Sequence, residues 1–508
     1  MVQLPTAPGP TTARATAARR WVALAVLMLP VLLVSIDNTV LSFALPQISA
    51  ALAPTGTELL WIVDVYPLVL AGLLVPMGSV ADRVGRRRLL LVGAVGFAAV
   101  SVVAAFAPSA EALIAARAGL GFFGAMLMPS TLSLLRNIFT DRTERRLAIA
   151  IFASGFAAGA AIGPVVGGVL LEHYWWGSVF LLAVPVLALL LALAPAYVAE
   201  SRDPAPGPID PVSIGLVMVA MTTLVAGLKT LTKDDPRLAA TLLAAGLVAG
   251  TLFVRRQLRR PEPMLDVRLF TIPAFSGSVA VNLLSVFSLV GFVFFASQDL
   301  QLVIGLSPVQ AGLVLLPGTV AMVVAGLTVV RVVRRVRPAR VVAAGLAVSA
   351  TGYLLTALVA GRGEAVWVGV AFVALSLGIG MAETISNDLI VSTVPAEKAG
   401  AASAISETAY EGGSVLGTAV LGSILTASYQ AHVVVPDGVA AADAGAAAET
   451  LGGATSVAAG LPAGQAHALL ESAHAAFADG VTITAGIGCV AVLAAAVVAL
   501  VTLRRVES

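Results

Sequence analysis

Long stretches without a charged residue constrain this chain more than any other feature. Residues 89–107 and 483–503 contain no Asp, Glu, Lys or Arg, and about 20 apolar residues are enough to cross a lipid bilayer as a helix. Lipid offers the backbone no hydrogen-bond partner, so such stretches span a membrane as α-helices, whereas barrel strands alternate in short segments. Only 11% of the 508 residues are charged, against about 25% in soluble proteins. The sequence therefore predicts an all-α membrane protein.

Hydrophobic runs separated by polar breaks predict fourteen transmembrane helices. The first run is far longer than the apolar region of a secretory signal peptide, so we interpret it as a membrane helix. The approximate bounds are 21–49, 59–81, 88–107, 110–135, 146–171, 175–199, 211–230, 237–254, 272–299, 309–330, 339–360, 365–390, 400–427 and 480–503. The rest consists mainly of an N-terminal tail at 1–20 and a long loop at 428–479. Within that loop, 464–477 could form a short amphipathic helix, as part of a surface hairpin or as a lid.

The distribution of basic residues orients these helices. Most of the 30 Lys and Arg residues fall in the two tails and in alternate loops. Basic residues are enriched in cytoplasmic loops, so both termini are predicted to be cytoplasmic and the 428–479 loop extracytoplasmic. The exceptions are Arg117 inside a helix and, on the opposite side, Lys229, Lys233, Arg237 and Arg362.

Several classes of protein are excluded by what the helices lack. The single cysteine, Cys489, lies in an apolar run and rules out an intramolecular disulfide or a cysteine cluster. The four histidines all fall outside the predicted helices, and no G-x-x-x-x-G-K-[ST] sequence occurs. These patterns argue against a membrane-embedded enzyme, a metal or cofactor site, a nucleotide-driven pump and a nucleic-acid partner.

An arginine-rich sequence, GSVADRVGRRR at 78–88, follows the second predicted helix. The positive-inside rule alone accounts for its arginines, but an aspartate at a helix end can also pair with them or face the N-terminus of another helix. Such ion pairs can form in one conformation and break in another. We therefore interpret five of these residues as a conformational gate: Gly78, Asp82, Arg83, Gly85 and Arg86.

The fifth predicted helix carries small residues at every fourth position. They begin at Gly155, and the segment GAAIGPVVGG at 159–168 continues the pattern. Small residues at this spacing let two helices pack at backbone distance, and proline permits a bend. By itself the stripe predicts a close helix contact, which involves Gly159, Gly163, Pro164, Gly167 and Gly168.

Charged residues inside the predicted helices carry most of the mechanistic content. Arg117 requires a carboxylate partner, a wet cavity or a route to the interface, because an isolated charge in lipid is costly. The acids are Asp37 in the first helix, Asp64 in the second, Glu383 in the twelfth, and Glu407 and Glu411, one turn apart, in the thirteenth. Low dielectric favours the neutral form of a carboxyl group, whereas a neighbouring cation favours the ionised form. Each acid could instead belong to a buried structural ion pair.

Competition between a proton and a cationic ligand for the same acids would couple their movements. Entry of the ligand would expel the proton, and entry of the proton would expel the ligand. One charge that crosses the membrane is worth roughly 2.3 kcal/mol per 100 mV, which is sufficient to drive exchange. On this reasoning any of the acids could take the proton or the ligand; with the family resemblance given below, the candidates for proton coupling are Asp37, Arg117 and Asp64, and those for substrate binding include Glu383, Glu407 and Glu411.

The motifs together resemble the fourteen-helix drug:proton antiporters of the major facilitator superfamily, the branch of QacA, SmvA and the LfrA-like mycobacterial exporters. The similarity is carried by the 78–88 and 159–168 segments and by IDNTVL at 36–41, WIVDVY at 61–66, MPSTL at 128–132 and SETAYE at 406–411. It implies a major facilitator fold of two six-helix bundles with two inserted helices. Its domains would be 21–200, then 211–254 for the insertion, and then 270–427 together with 480–503.

The resemblance also implies residue roles. The 78–88 segment would latch the cytoplasmic side in the outward-open state, and 159–168 would be the antiporter motif of drug exporters. Asp37 would be the leading proton-coupling acid, Arg117 would take part in proton transfer, and the acids of the thirteenth helix would contact cationic substrates. Leu120 stands where the family often has a glutamine, so a hydrogen bond to Arg117 from that position is not expected.

A site for delocalised cations needs aromatic and apolar walls. The candidates are Trp61, Tyr66, Phe122, Phe123, Met126, Phe292, Phe295 and Tyr410. The predicted function is proton-driven export of dyes, quaternary ammonium compounds and fluoroquinolones by alternating access, by a monomer in the bacterial inner membrane. A proton-linked transporter of an endogenous metabolite on the same scaffold is the alternative. The 159–168 motif and the scarcity of basic residues within the helices argue against it.

Overall fold

The computed structural model describes residues 10–203, 209–231, 235–395 and 398–506. Lys233 and the first nine residues of the predicted tail at 1–20 lie outside these ranges. The described residues form helices joined by short connections. The helices are α1 (Pro10–Leu52), α2 (Gly56–Val84), α3 (Arg86–Ala105), α4 (Ala110–Ile138), α5 (Arg142–His173), α6 (Ser178–Leu181), α7 (Ala183–Tyr197), α8 (Pro211–Thr230), α9 (Pro236–Arg259), α10 (Pro273–Gln298), α11 (Pro308–Val332), α12 (Pro338–Val359), α13 (Ala365–Ser392), α14 (Ala399–Gly417), α15 (Ser423–His432), α16 (Ala441–Glu449), α17 (Leu451–Ala458) and α18 (Ala463–Thr502).

Local sequence signals fix several helix starts. Thr55 and Glu58 form a reciprocal capping box at α2, which satisfies backbone donors that the first turn leaves free. Asp210 and Asp235 cap α8 and α9, and each is followed by a proline at the first helical position. Proline costs nothing there, because that N–H has no partner inside the helix. These signals place the inserted helices within a few residues of the predicted bounds.

Thirteen helices in the described part of the chain are long and apolar enough to cross a membrane. The predicted thirteenth span, 400–427, is not among them. It is nevertheless helical, since α14, a π-helical turn at Thr418–Gly422 and α15 follow one another without a break. Its glycines, serines, threonines and two glutamates make it less apolar than the other spans. The count of fourteen therefore stays a prediction.

The region predicted as one long loop is more ordered than expected. The helix foreseen at 464–477 exists, but it is not a separate element, because α18 runs unbroken from Ala463 into the last membrane span. On one face of this extension, Leu469, Ala473 and Phe477 are buried. Their packing stabilises the part of the helix that precedes the predicted start at residue 480. Two short helices, α16 and α17, complete the region.

The spanning helices pack into two groups. The first group consists of α1–α7, and the second of α10–α15 with α18; α8 and α9 pack mainly on each other. We call the side of the molecule with the arginine-rich connections the basic side, which is predicted to be cytoplasmic. The opposite side, which carries α16 and α17, is called the loop side. The inserted helix α8 lies against α2 and the π turn of the second group, so it covers one of the two seams between the groups.

Two close contacts between the groups lie at the loop side. An alanine Cβ at Gly168 of α5 would stand 2.7 Å from the backbone of Val309 in α11. The Gln301 amide donates to the Phe43 carbonyl across the groups at 3.2 Å. Toward the basic side, nothing lies within 4 Å of the Cβ position of Gly412, and Glu407 is exposed. From these contacts we infer that the two groups are closed on the loop side and surround a chamber that opens on the basic side.

Candidate transport site

Arg117 finds the carboxylate partner that its position required. Its Nη1 atom lies 2.8 Å from Oδ2 of Asp37, and the two side chains are 2% and 11% exposed. Nε donates to the Ile62 carbonyl at 3.2 Å. Leu120 is buried in the apolar core, so the backbone of α2, rather than a side chain at 120, supports the guanidinium. The pair joins α1, α2 and α4 at about the depth expected from the sequence.

Tyr66 connects this pair to the second group of helices. It is completely buried, and the guanidinium carbon of Arg117 lies 4.6 Å from its ring centroid. The absent Cβ of Gly121 lets α4 approach the backbone of Tyr66, since a Cβ there would stand 2.6 Å from that carbonyl. The charges of Asp37, Glu411 and Arg117 all act on the Tyr66 hydroxyl. Tyr66 is therefore a wall of the charged centre, in contact with an internal cation.

Asp64 has an ion-pair partner that the sequence analysis placed elsewhere. Its Oδ2 atom lies 2.8 Å from Nζ of Lys229, and both side chains are 1% exposed. The ammonium group also lies 4.0 Å from the ring centroid of Trp61. Lys229, which the sequence analysis counted with the basic residues of the opposite side, is the penultimate residue of α8 and points into the protein. The surroundings of Asp64 agree with the alternative interpretation of this residue, a buried structural ion pair.

Three glutamates of the second group lie close together without such compensation. Glu407 is exposed, Glu411 is 4% exposed, and Glu383 on α13 is half-buried. The charge of Glu407 acts on both Glu383 and Glu411, and all three charges act on Tyr410. Within the described ranges, none of the three forms an ion pair, and Oε2 of Glu411 accepts no hydrogen bond. The structure thus brings the predicted acids of α13 and α14 together around Tyr410.

A buried polar network that the sequence analysis missed positions these acids. The Asn282 side-chain amide of α10 donates to the Ser406 hydroxyl at 3.2 Å and to Oδ1 of Asn387 at 3.3 Å. The Ser406 hydroxyl donates to the same Asn387 oxygen at 2.6 Å. Asn387 lies one turn from Glu383, and Ser406 precedes Glu407, so the network ties both acids to α10. An asparagine that is buried without a hydrogen-bond partner is costly. The asparagine within the apolar span of α10 was therefore the sequence signal that could have revealed this network.

Several predicted wall residues lie away from the acids. Phe123 and Met126 pack against the α3 glycines, since a Cβ at Gly96 would stand 2.2 Å from the Phe123 ring and one at Gly93 would stand 2.9 Å from Met126. Phe122 is 40% exposed and contacts Phe123 edge-on. Phe123 and Met126 thus serve the packing of α4 on α3, and the role of the three residues in substrate binding stays a prediction.

The aromatic residues of α10 that were predicted to bind substrate also lie among other helices. Phe292 is completely buried, stacks on Phe372 with ring centroids 5.4 Å apart and contacts Phe295 and Tyr353. Phe295 is 2% exposed. Both fill the interior of the second group rather than line the chamber, because they face α12 and α13.

The 78–88 gate is held by its own group of helices. Asp82 pairs with Arg86 one turn away at 2.7 Å, and Arg83 is exposed. The carboxylate of Glu200, beyond α7, accepts from the backbone N–H groups of Arg87 and Arg88. A Cβ at Gly78 would make only an ordinary contact with α4. These partners of Asp82, Arg86, Arg87 and Arg88 belong to α1–α7 and the chain that follows them.

Gly85 is required by its backbone conformation. Its φ of +120° is rare for any residue with a side chain, and a Cβ there would stand 2.9 Å from the Glu200 carboxyl. The glycine lets the chain reverse between α2 and α3 while Glu200 approaches the turn.

The glycine stripe of α5 serves two helix contacts. Cβ atoms at Gly159, Gly163 and Gly167 would collide with α1 side chains at or near Ser35 and Thr39, so these glycines join α5 to α1. Gly168 faces the other group through Val309, and the Pro164 carbonyl approaches Gly312 of α11. The motif therefore lies at the closed, loop-side seam between the groups.

Comparison with known proteins agrees with this architecture. The Major Facilitator Superfamily family model matches residues 27–418. The chain is 58% identical over 497 residues to the multidrug efflux pump LfrA of Mycolicibacterium smegmatis, with 98% of each chain covered. It is 38% identical over 464 residues to the methyl viologen resistance protein SmvA of Salmonella typhimurium, with 90% of this chain and 93% of that one covered. The tetracenomycin C resistance and export protein of Streptomyces glaucescens is 34% identical, with 98% and 94% covered.

Solved structures support the fold alone, because their sequences are distant. A bacterial homologue of the human lysosomal transporter Spinster, in an inward-facing and occupied conformation, aligns with a TM-score of 0.65 at 16% identity, over 96% of this chain and 97% of that chain. A POT family transporter in complex with 5-aminolevulinic acid aligns with a TM-score of 0.63 at 12% identity, over 96% of each chain. The sequence matches, the helical fold and these neighbours agree: the chain belongs to the major facilitator superfamily and is a multi-pass transporter of the bacterial inner membrane.

Proposed function

We propose that this transporter exports cationic and amphipathic drugs in exchange for protons, by alternating access. The observation that carries the proposal is the unequal distribution of counter-ions. Asp37 and Asp64 of the first group each have a tethered cation, whereas Glu383, Glu407 and Glu411 have no described ion-pair partner. Carboxylates in a membrane interior need either protons or cations, so these glutamates suit a guest that carries the positive charge.

The Asp37–Arg117 pair offers the second half of the exchange. Asp37 is 11% exposed, which leaves its carboxylate within reach of the chamber. A proton on Asp37 removes its charge and weakens the hold on Arg117, which contacts α2 and Tyr66. Because the charges of Arg117 and Glu411 act on the same tyrosine, a change at Asp37 can reach the glutamates. We therefore assign the coupling proton to Asp37 and Arg117.

The relatives support the substrate class. Their names describe a multidrug efflux pump and a methyl viologen resistance protein, and methyl viologen is a dication. Dyes, quaternary ammonium compounds and fluoroquinolones are the substrates that we propose for this chain. Tyr410 among the acids would add an aromatic face for a delocalised cation.

Transport into everted membrane vesicles, across which a pH gradient is imposed, tests the proposal. We expect wild-type vesicles to accumulate a cationic dye and a protonophore to abolish the accumulation. Asp37→Asn should remove the gradient-driven component, while the control Asp388→Asn, an exposed acid near the basic-side end of α13, should keep it. Accumulation by Asp37→Asn equal to the wild type would contradict the role of Asp37. Wild-type vesicles that accumulate none of the proposed drug classes would favour a metabolite substrate.

A further inference from the structure

The side chain of Lys229, on the inserted helix α8, reaches Asp64 of the first group of helices. Most of α8 lies on the outside of the protein, yet the Lys229 side chain is 1% exposed and ends 2.8 Å from Asp64. The Trp61 ring lies against its ammonium group. A carboxylate and an aromatic face are the same chemistry that a cationic guest would need. In this structure, the protein's own lysine occupies that position.

The neighbours of this pair come from both groups of helices. Trp61, Leu68 and Val225 pack with Val415 and Ala419 of the second group in one apolar cluster. The hydroxyl of Thr418, which begins the π turn, is close enough to Asp64 to interact with it. The pair therefore lies where α8, α2 and the π turn meet, on the seam that α8 covers.

The other charged residues named on the helices around α2 interact with groups other than Asp64. Arg117 on α4 pairs with Asp37 on α1, and the charge of Glu411 on α14 acts on Tyr66. Lys229 is the charged group in contact with Asp64 within the described residues. A tethered ammonium at 2.8 Å neutralises the carboxylate without a proton, and the apolar cluster around the pair excludes water.

We propose that Lys229 is a positioning residue that keeps Asp64 ionised and paired throughout transport, and so removes Asp64 from proton coupling. The inserted helices thereby supply a fixed cation to the seam between the two groups. This inference rests on the proposed proton-coupled export and revises it in one respect: the acids available for protons are Asp37 and the three glutamates.

A charge-removal cycle in everted vesicles tests the assignment. Lys229→Met leaves Asp64 without its cation, so only a proton can neutralise it. We expect dye accumulation to fall at least tenfold at neutral pH and to recover partly at acidic pH. The double variant Asp64→Asn/Lys229→Met has no charge to compensate, and we expect gradient-driven accumulation within about threefold of the wild type with an unshifted pH profile.

The second pair of the first group supplies the matched control. Asp37→Asn/Arg117→Met also removes both charges of a buried pair, but it should not restore gradient-driven accumulation. If Asp64→Asn/Lys229→Met binds dye and likewise fails to accumulate it, Asp64 carries the coupling proton and the inference is overturned. A wild-type protein without gradient-driven accumulation would instead contradict the proposed function.

Lys229→Arg provides a second test, which does not depend on whether the double variant folds. Arginine remains charged throughout the physiological pH range, so it preserves a fixed cation and removes any possibility of proton release at this position. Accumulation with the wild-type pH profile is the expected result. Dye binding without gradient-driven accumulation in Lys229→Arg would show that Lys229 itself releases a proton, which contradicts a fixed pair.

Discussion

The loop-side seam offers the sharpest test of alternating access, through Gly168. A Cβ at this position would stand 2.7 Å from Cα and 2.9 Å from the backbone nitrogen of Val309. Alanine has no side-chain rotation that relieves such a contact, and the atoms that it meets are backbone atoms of α11. Gly168→Ala therefore destabilises the arrangement in which α5 and α11 touch and spares an arrangement in which they have separated.

The size of the effect follows from packing energies. Overpacking of a tight contact costs about 1–3 kcal/mol, and about 1.4 kcal/mol corresponds to a tenfold change in an equilibrium constant. The population open on the loop side should thus rise by about 5-fold to 150-fold. Transport should slow in parallel, because each cycle has to pass through the disfavoured closed seam.

The population open on the loop side can be measured by labelling a cysteine that is introduced at a buried position of the other seam, where α2 meets the second group. Leu60 of α2 is 2% exposed and lies against Gly422 of the second group. In a Cys489→Ser background, Leu60→Cys should react with a membrane-impermeant maleimide at a rate proportional to the open fraction. We expect Gly168→Ala to raise this rate in intact cells by the factor given above.

The neighbouring glycine is the control. A Cβ at Gly167 would meet the side chain of Val40 at 3.1 Å, a contact inside the first group that both arrangements keep. Gly167→Ala should therefore leave the labelling rate within about twofold. An unchanged rate in Gly168→Ala, in a variant that inserts and binds dye normally, would refute the idea that this seam opens during transport.

Two further predictions concern the acids. Glu407→Gln or Glu411→Gln should weaken dicationic substrates more than monocationic ones, because each removes one of several negative charges; an equal loss in dye-competition assays would indicate folding or coupling instead. Hydrogen bonds from Arg256, with further bonds from Ser213, lower the pKa of Asp210, so its contribution to stability is present at neutral pH and is lost as the pH falls through that lowered value. Asp210→Asn should reduce the free energy of unfolding by about 1.5–3 kcal/mol at neutral pH, measured in detergent by thermal melting. Asp235→Asn, at a helix cap that has no arginine partner among the described residues, should cost less, and equal melting temperatures would contradict this account.

Much of the fold could be predicted from chain-local patterns. Charge-free runs locate the spans because lipid tolerates no unpaired backbone, and α8 and α9 begin where Asp210 and Asp235 cap them. The need of Arg117 for a carboxylate followed from the cost of an isolated charge, and Asp37 meets it. The glycine stripe of α5 predicted a close contact without its partners, and the structure supplies both α1 and α11.

Other residues could not be placed without their neighbours. Lys229 stands at the end of an apolar run, next to a polar turn, so by sequence it was counted with the basic residues of the opposite side; the contact of α8 with α2 carries it inside. Phe292 and Phe123 look like walls of a binding site, yet they fill contacts between helices. In each case, the missing information was which face of a helix meets another helix.

That division has a physical cause. The sequence by itself determined that the chain crosses a membrane, roughly where it does so and which residues are too polar to lie there without a function, because each depends on the free energy of single segments in lipid. Only the tertiary structure decided which acids have cations and which residues face the chamber. Lipid is as apolar as a helix interface, so hydrophobicity does not distinguish the face of a spanning helix that packs from the face that meets lipid.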